Sequence, residues 1–521
     1  MIAGPAPIHP GTFPLDPSFP QLAVACDAAR MREVFRTHLK PVPGASVRIV
    51  ECAPFRFRCR QSTARCVLQY KLRLEEPLTG RQRDLFATGL IYAEPGEAER
   101  LWRSLAAEHP APEIPAPWRT FEPLAFVPEL DMVVEIFPYD RRLPQLASVI
   151  DAAPRELERL LLDRLGPGRW QAADSALEPT RYRTEMGAVL RYSLPVREAG
   201  TARSETVRCY VKVYRNDRGH ETFERLRSWK RDARHGYDLV RPIAYWSELR
   251  TLVLEEARGT PLRELLHGDG QAVAAVRAAA SATASFNQDH VELTRAHTLA
   301  EQIDQLKRAS ALLDWACPHA RAEVRAITAA VVAGLHDVTP APIHGDLKPD
   351  HVFITDGRPV FVDLDSAVLA DPVRDPAHFC SYLLVRVGLD YLSAARARAL
   401  AGELLEPSIR PCSPIRSGIR LISVPTSSPE SASTTCPPPA PAPWPGNSSS
   451  RTSPTCRGSG AACSRSIAQA RSSRWRARSF GIRDPGGRNG RPWQSRRGAT
   501  LWRGGFDDRR GGHRTMTEWP K

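Results

Sequence analysis

The chain carries Ile-His-Gly-Asp-Leu-Lys-Pro-Asp-His-Val-Phe at residues 343–353 and Val-Phe-Val-Asp-Leu-Asp at residues 360–365. These stretches place acidic side chains at Asp346, Asp363 and Asp365. Carboxylates on two separate loops suit a reaction in which one group aligns an acceptor hydroxyl and another holds a metal ion on a phosphate. The pattern therefore predicts a phosphoryl-transfer site.

The segment between the two stretches predicts how they meet. Residues 352–354 and 359–362 are apolar and β-prone, and Asp356-Gly357 between them is a strong signal for a tight hairpin. Antiparallel strands would bring the loop before the first strand next to the loop after the second. A single Asp before Gly or Pro often forms only a turn, so the prediction rests on the whole combination.

These residues resemble the aminoglycoside phosphotransferase and choline kinase branch of the protein-kinase-like fold. In that branch a His-Gly-Asp motif is followed after four residues by Asn, and then by a strand that ends in a metal-binding Asp. The resemblance covers residues 150–405 and implies a two-lobed α+β fold, ATP as phosphate donor and a small molecule with a hydroxyl group as acceptor. By position it implies that Asp346 is catalytic, that His344 braces its loop and that Asp363 binds Mg2+.

Position 351 departs from that pattern, because His stands where Asn is expected. Mg2+ prefers hard oxygen ligands, whereas imidazole suits softer metals. Asp363, His351 and Asp365 are the candidate metal ligands. Three outcomes stay open: Asp365 or Asp350 supplies the missing oxygen, only one metal is bound, or catalysis is impaired. Alternatively, His351 only forms a hydrogen bond within the catalytic loop.

A site of this kind also needs a lysine on the phosphates. Alternating β-formers at residues 209–214 predict a strand that carries Lys212. Lysine is rare in this chain, which uses arginine as its ordinary base, so its presence there is informative. The resemblance places its acidic partner on the following helix, with Glu221 preferred to Glu224. Either glutamate could instead be a solvated helix residue.

Two further segments are assigned by the resemblance. Residues 187–194 would form the second strand of the hairpin that covers the nucleotide, although no Gly-rich phosphate loop is present. Residues 251–262 would form the strand and linker between the lobes. Main-chain groups of Glu255, Glu256 and Ala257 would then meet the adenine.

The first 150 residues repeat part of this pattern. Residues 66–72 match residues 188–194 at an offset of 122 positions, and the same offset aligns Leu90 with Lys212. We therefore predict a duplicated small lobe whose first copy, residues 1–150, is degenerate and cannot hold a phosphate in the same manner. The alternative is that two unrelated hairpins share short apolar patterns.

Length and charge complete the domain prediction. The 521 residues leave room for several domains: the repeat, a small lobe at 151–260, an incomplete large lobe at 261–406 and a tail at 407–521. The net charge of +14 arises in the tail, which holds 19 Arg and one Lys against three Asp and two Glu. The remainder offers no global basic field, so no specific nucleic-acid partner is expected.

The tail is rich in Ser, Arg, Pro, Gly and Thr and is predicted to be disordered. It resembles a GC-rich gene read out of frame. An ordinary disordered extension, or a basic arm that contacts nucleic acid or anionic lipid, are the alternatives. If the frame was lost near residue 406, nucleotide binding would survive while acceptor binding suffered.

The remaining expectations concern the large lobe and the compartment. Residues 272–286, 299–315 and 320–335 have helical apolar spacing and are predicted to form helices with their apolar residues in the core. Irregular cysteine spacing, with no zinc pattern and no long apolar run, favours a cytoplasmic protein without a membrane partner. Oligomeric state cannot be read from the sequence. The predicted function is ATP-dependent transfer of phosphate to a hydroxyl, and the alternative is a pseudokinase that binds nucleotide or acts as a scaffold.

Overall fold

A computed structural model describes residues 18–60, 64–108, 114–166, 169–229, 233–388 and 391–409. All of these residues belong to one unit that spans residues 1–425. The predicted tail, apart from its first residues in the last helix, lies outside the described residues. The prediction of a mixed α+β protein is confirmed.

The N-terminal repeat forms an antiparallel sheet with flanking helices. Its elements are α1 (Leu22–Ala25), α2 (Ala28–His38), β1 (Arg48–Arg60), β2 (Arg65–Glu75), β3 (Gln82–Tyr92), α3 (Glu97–Glu108), β4 (Leu124–Val127) and β5 (Met132–Ile136). The strands lie in the order β1-β2-β3-β5-β4. Asp27 caps the N-terminus of α2, and its carboxylate accepts hydrogen bonds from two backbone amides of the first turn.

The second sheet repeats this strand order. This part of the chain comprises α4 (Leu146–Leu165), β6 (Trp170–Ala172), β7 (Ala176–Arg183), β8 (Gly187–Glu198), β9 (Ser204–Tyr214), α5 (Arg218–Ser228), β10 (Asp238–Leu239), β11 (Pro242–Trp246) and β12 (Thr251–Glu255), and β10 belongs to a different sheet. The strands β11-β12-β9-β8 follow one another, and β8 pairs with both β6 and β7. Read from β7, the order β7-β8-β9-β12-β11 corresponds to the order β1-β2-β3-β5-β4 of the first sheet.

The register is repeated as well. Leu68 on β2 pairs with Gly89 on β3, and Leu190 on β8 pairs with Val211 on β9, which are the positions related by the sequence offset. The turns before β5 and β12 each contain a residue of left-handed conformation, Asp131 at φ 42° and Arg250 at φ 46°. Order and register thus agree with the duplication that the sequence predicts, while the exact domain boundaries remain a prediction.

In the first copy, apolar side chains fill the place that corresponds to the surroundings of Lys212 in the second copy. Leu90, which stands at the position of Lys212, is fully buried and packs with Val67, Ala98 and Val133. Trp102 and Phe126 stack beside this cluster with ring centroids 5.7 Å apart. An apolar cluster offers neither a cation nor space to a phosphate, so this copy has no room for a nucleotide.

One hydrophobic core extends under both sheets. Its buried members include Tyr70 of the first sheet and Tyr192 of the second. The two are joined by aromatic contacts of Phe137, whose ring lies 6.1 Å from Phe86 of β3 and 5.1 Å from Tyr182 of β7. Because the core is continuous, the two copies pack as one body.

The C-terminal part is mostly helical. Its elements are β13 (Thr260–Pro261), α6 (Leu262–Leu265), α7 (Asp269–Phe286), α8 (Leu299–Ala316), α9 (Arg321–Gly334), β14 (Ala341–Ile343), β15 (Val352–Thr355), β16 (Arg358–Phe361), β17 (Val368–Ala370), α10 (Arg374–Gly388) and α11 (Ala394–Ile409). Strands β10-β16-β15-β13 form one small sheet, and β14 pairs with β17. Helices α7, α10 and α11 supply most of the helical residues in the second core, which includes Phe286, Phe379 and Leu400.

The prediction that the apolar residues of α8 and α9 lie in the core is wrong. Leu312 of α8 is 51% exposed and Ile327 of α9 is 61% exposed, and α9 has no buried residue. Helical periodicity identifies an apolar face but not the element that covers it. Within the described residues, α8 and α9 pack mainly on each other.

Candidate active site

The β15–β16 hairpin brings the two quoted stretches together. Its turn residues, Asp356 and Gly357, have φ of 50° and 76°, as a type I′ hairpin turn requires. Val352 pairs with Phe361, so the loop before β15 lies beside the loop after β16. Gly345 is needed at this junction, because it has φ 77° and an added Cβ would lie 2.2 Å from the carbonyl oxygen of Ser366.

Two buried residues fix the loop of Asp346. His344 accepts a hydrogen bond from the Asp346 amide at Nδ1 (3.4 Å) and donates from Nε2 to the carbonyl of Val362 (2.9 Å). The carboxylate of Asp375, at the start of α10, accepts from the amides of His344 (2.6 Å) and Gly345 (2.9 Å). His344 therefore lies where a bracing residue is expected, and Asp375 holds the same loop from the other side.

Lys212 lies between two carboxylates of the loop after β16. Its Nζ donates to Asp363 Oδ1 at 2.7 Å and to Asp365 Oδ2 at 2.8 Å. Tyr214, two residues along β9, donates to the other oxygen of Asp365 at 2.9 Å. Burial alone would lower the pKa of Lys212, but the charges of Asp365 and Asp363 outweigh it and raise that pKa. The ammonium group is thus permanently charged.

Asp363 has the features of a metal ligand. Its backbone is left-handed, at φ 64° and ψ 49°, a conformation that non-glycine residues adopt at a cost and often at functional sites. Burial would raise its pKa, yet the charge of Lys212 holds the pKa of this carboxyl well below its usual range. The second oxygen, Oδ2, faces Nε2 of His351 at 3.3 Å.

The ring of His351 is oriented for ligation. Nδ1 donates to the carbonyl oxygen of Asp346 at 2.9 Å, so the lone pair of Nε2 faces Asp363. Burial lowers the pKa of His351, which keeps the imidazole neutral. Asp346, His351 and Asp363 each offer one potential ligand atom, and these three atoms all lie within 4.8 Å of one another. This donor set fits a divalent cation with mixed nitrogen and oxygen ligands.

The predicted third ligand is placed elsewhere. Asp365 directs its oxygens to Lys212 and Tyr214, and Asp346 takes its place in the group with His351 and Asp363. Asp350, the other oxygen donor considered, is bound by Arg263 at 3.0 Å and by the hydroxyl of Tyr382.

Asp346 is half-buried at the mouth of this cluster. Its Oδ2 accepts a hydrogen bond from Lys348 Nζ at 2.8 Å. Its Oδ1 lies 3.7 Å from Nε2 of His378 on α10. The side chain of His378 is 46% exposed, so this side of Asp346 is open to an incoming molecule.

A cavity of about 350 Å³ joins these groups. It is lined by Lys212 and the three aspartates on one side and by the β7–β8 turn on the other. Four arginines also line it, namely Arg181, Arg183, Arg215 and Arg218. They were not among the predicted site residues, although Arg181 and Arg183 alternate along β7 and therefore lie on one face of it.

The predicted partner of Lys212 is not in contact with it. Glu221 is exposed in the first turn of α5, where its charge suits the helix dipole. Helix α5 approaches the site through arginines instead. Arg218 donates to the carbonyl of Asp365 at 2.8 Å, and Arg225 donates to that of Leu364 at 2.9 Å. Among the described residues, the helix therefore holds the loop after β16 rather than the lysine.

The linker glutamates turn their side chains to neighbouring arginines. Glu255 pairs with Arg164 of α4, and Glu256 lies 3.6 Å from Arg208 of β9. Backbone contact of Glu255, Glu256 and Ala257 with an adenine remains a prediction.

A family model described as the phosphotransferase enzyme family matches residues 119–411, which is more than half of the chain. The chain belongs to this family. The match spans all of the cavity residues named above, so this phosphotransferase carries its cavity within the family's part of the chain. No curated protein matches the sequence.

Several solved structures are similar to the chain at low identity. A choline/ethanolamine kinase family protein from Mesorhizobium loti has 15% identity and a TM-score of 0.32, over 50% of this chain and 76% of that one. An aminoglycoside-3'-phosphotransferase of type VIII has 20% identity and a TM-score of 0.31, over 48% and 90%. A choline kinase from Streptococcus pneumoniae has 14% identity and a TM-score of 0.30, over 48% and 80%.

None of the described helices is both long enough and apolar enough to span a membrane.

Proposed function

We propose that this phosphotransferase transfers the terminal phosphate of ATP to a hydroxyl group of a small molecule. The observation that carries the proposal is the convergence of Lys212, Asp363 and Asp346 on one cavity, with Lys212 Nζ 2.7 Å from Asp363. Phosphoryl transfer needs little covalent help from the protein and depends on alignment and on stabilisation of charge. A cavity lined by one lysine and four arginines suits a triphosphate.

Each residue has a role that follows from its surroundings. Lys212 would neutralise phosphate charge, with Tyr214 and Asp365 keeping it in place. Asp346 would orient the acceptor hydroxyl and receive its proton, because one of its oxygens faces the open side near His378. A divalent cation held by Asp363 and His351 would neutralise the charge that develops on the transferred phosphate.

The acceptor is proposed only as a class. Structures similar to this chain include a phosphotransferase in complex with ADP and streptomycin and an amicoumacin kinase in complex with AMP-PNP and Ca2+. Small hydroxyl-bearing molecules, including amino alcohols and sugars, are therefore the first acceptors to test.

The decisive experiment replaces the proposed catalytic residue. Asp346→Asn should lower phosphate transfer from ATP by about 100-fold or more, the scale of losing a general base, and should leave nucleotide affinity nearly unchanged. Radiolabelled transfer to an acceptor panel and calorimetric titration with ADP measure the two quantities. Asp356→Asn, in the turn of the same hairpin, is the matched control. Equal transfer by both variants would refute the role of Asp346, and binding without any transfer by the wild type would favour the pseudokinase.

A further inference from the structure

Glu185 is a buried carboxylate that the proposed chemistry does not use. It lies in the turn between β7 and β8, and its side chain is only 2% exposed. The turn continues into Met186 and Gly187, which line the cavity together with Glu185. Gly187 approaches β9 so closely that an added Cβ would lie 2.8 Å from the carbonyl oxygen of Val213. The turn is therefore the part of the second sheet that covers the cavity in which phosphate binding is proposed.

Three arginines converge on this carboxylate, and all of them belong to the N-terminal repeat. Arg65 of β2 donates to both of its oxygens, at 2.8 and 2.7 Å. Arg58 of β1 donates at 2.9 Å, and Arg141, which follows β5, donates at 2.6 Å. A buried charge is costly unless it is paired and hydrogen-bonded, and here every oxygen of Glu185 has such partners.

The backbone of the same turn is also held from the repeat. Asp140 is 2% exposed, and its Oδ2 accepts from the amide of Glu185 at 2.8 Å and from the hydroxyl of Tyr182 at 2.9 Å. Arg56 of β1 donates to the carbonyl of Tyr182 at 3.1 Å. The outer edge of β7 is thus bound by side chains of the repeat.

The conformation of Glu185 shows how strongly the turn is constrained. Its φ is 63°, a region that is costly for a non-glycine residue and persists only where the surroundings determine it. The chain has no Gly-rich phosphate loop at this position. Something other than a run of backbone amides must therefore fix the position of the β7–β8 turn above the cavity.

We propose that the N-terminal repeat positions the β7–β8 turn over the nucleotide phosphates, and that Glu185 is the positioning residue through which it acts. The proposal rests on the proposed function, since it takes the ligand beneath the turn to be ATP. The filled, apolar first copy serves as a rigid support, and its arginines hold the turn from outside the cavity. Acceptor binding, which is proposed at Asp346, is not expected to depend on this support.

Arg58→Ala is the test variant, because Arg58 is the most exposed of the three arginines and its loss leaves Glu185 two partners. We expect about tenfold weaker binding of ADP by calorimetry, faster amide exchange at residues 184–189 without nucleotide, and an unchanged KM for acceptor. Arg48→Ala is the matched control, since Arg48 lies on the same strand and pairs across to Glu75 of β2 at 2.7 Å. It should leave all three quantities unchanged. Glu185→Gln should show a larger loss in the same direction, and Arg58→Lys should restore part of the affinity.

The outcomes separate this inference from the proposed function. A folded Arg58→Ala protein with wild-type ADP affinity would overturn the inference alone, as would an equal loss in Arg48→Ala. A wild-type protein that binds no nucleotide would overturn the proposed function, and the inference would fall with it.

Discussion

Replacing Lys212 by methionine should destabilise the fold and abolish phosphate transfer for the same electrostatic reason. Methionine keeps most of the volume of the side chain and removes only the charge. Asp363 and Asp365 would then face each other without the cation that now lies 2.7 and 2.8 Å from them. Removing one partner of a buried ion pair costs about 3–5 kcal/mol. Because the two aspartates are 24% and 19% exposed, we expect the lower end, about 3 kcal/mol.

The pH dependence of this loss follows from the pKa of Asp363. Burial would raise that pKa, but Lys212 lowers it below the unfolded value. A group whose pKa is depressed by folding contributes stability above its unfolded pKa and loses it as the pH falls through the folded pKa. The deficit of the variant should therefore be full at neutral pH and shrink only below about pH 4.

Urea unfolding at several pH values measures the deficit, and a transfer assay measures activity. Lys71→Met is the matched control: Lys71 also lies on a strand and pairs with an aspartate, Asp84, at 2.7 Å, but both side chains are 41% exposed. Its loss should cost less than about 1 kcal/mol. Equal and small losses of stability in the two variants would show that the ion pairs of Lys212 contribute no more than an exposed pair.

Two further predictions concern other buried groups. His351→Asn should weaken Mn2+ binding relative to Mg2+ binding by about tenfold, because it exchanges a nitrogen ligand for an oxygen ligand. EPR of bound Mn2+ in competition with Mg2+ measures the ratio of the two affinities. An unchanged ratio would exclude His351 as a ligand. Glu135 is fully buried, and burial raises its pKa to about 8. The folded state therefore keeps a proton that the unfolded state releases above pH 4.5, so stability should fall by up to about 1.4 kcal/mol per pH unit between these values. Glu135→Gln should remove that slope in urea unfolding, and a slope that persists would contradict the assignment.

Much of the fold was predictable because local patterns determine it. The hairpin turn at Asp356, the strand of Lys212 and the repeated register all depend on neighbours in the sequence or on a constant offset. The convergence of Asp346 and Asp363 then follows from strand pairing alone.

The choice of ion-pair partners was not predictable in the same way. Glu221 was the predicted partner of Lys212 and Asp365 a predicted metal ligand, yet it is Asp365 that contacts Lys212. Which carboxylate a lysine reaches depends on how α5 and the loop after β16 approach each other, and that is a tertiary property. The arginines on Glu185 are also distant from it in sequence, since Arg65 and Glu185 are 120 residues apart.

The continuous core beneath the two sheets limits how this protein can be dissected. Expressing it from residue 151 onward would leave Tyr182, Leu190 and Tyr192 without the wall that now shields them from water. Such a truncation product should aggregate and be poorly soluble, even though it keeps the proposed catalytic residues. Insertions and tags are better sited in exposed loops, such as the turn around Leu78, which is 92% exposed.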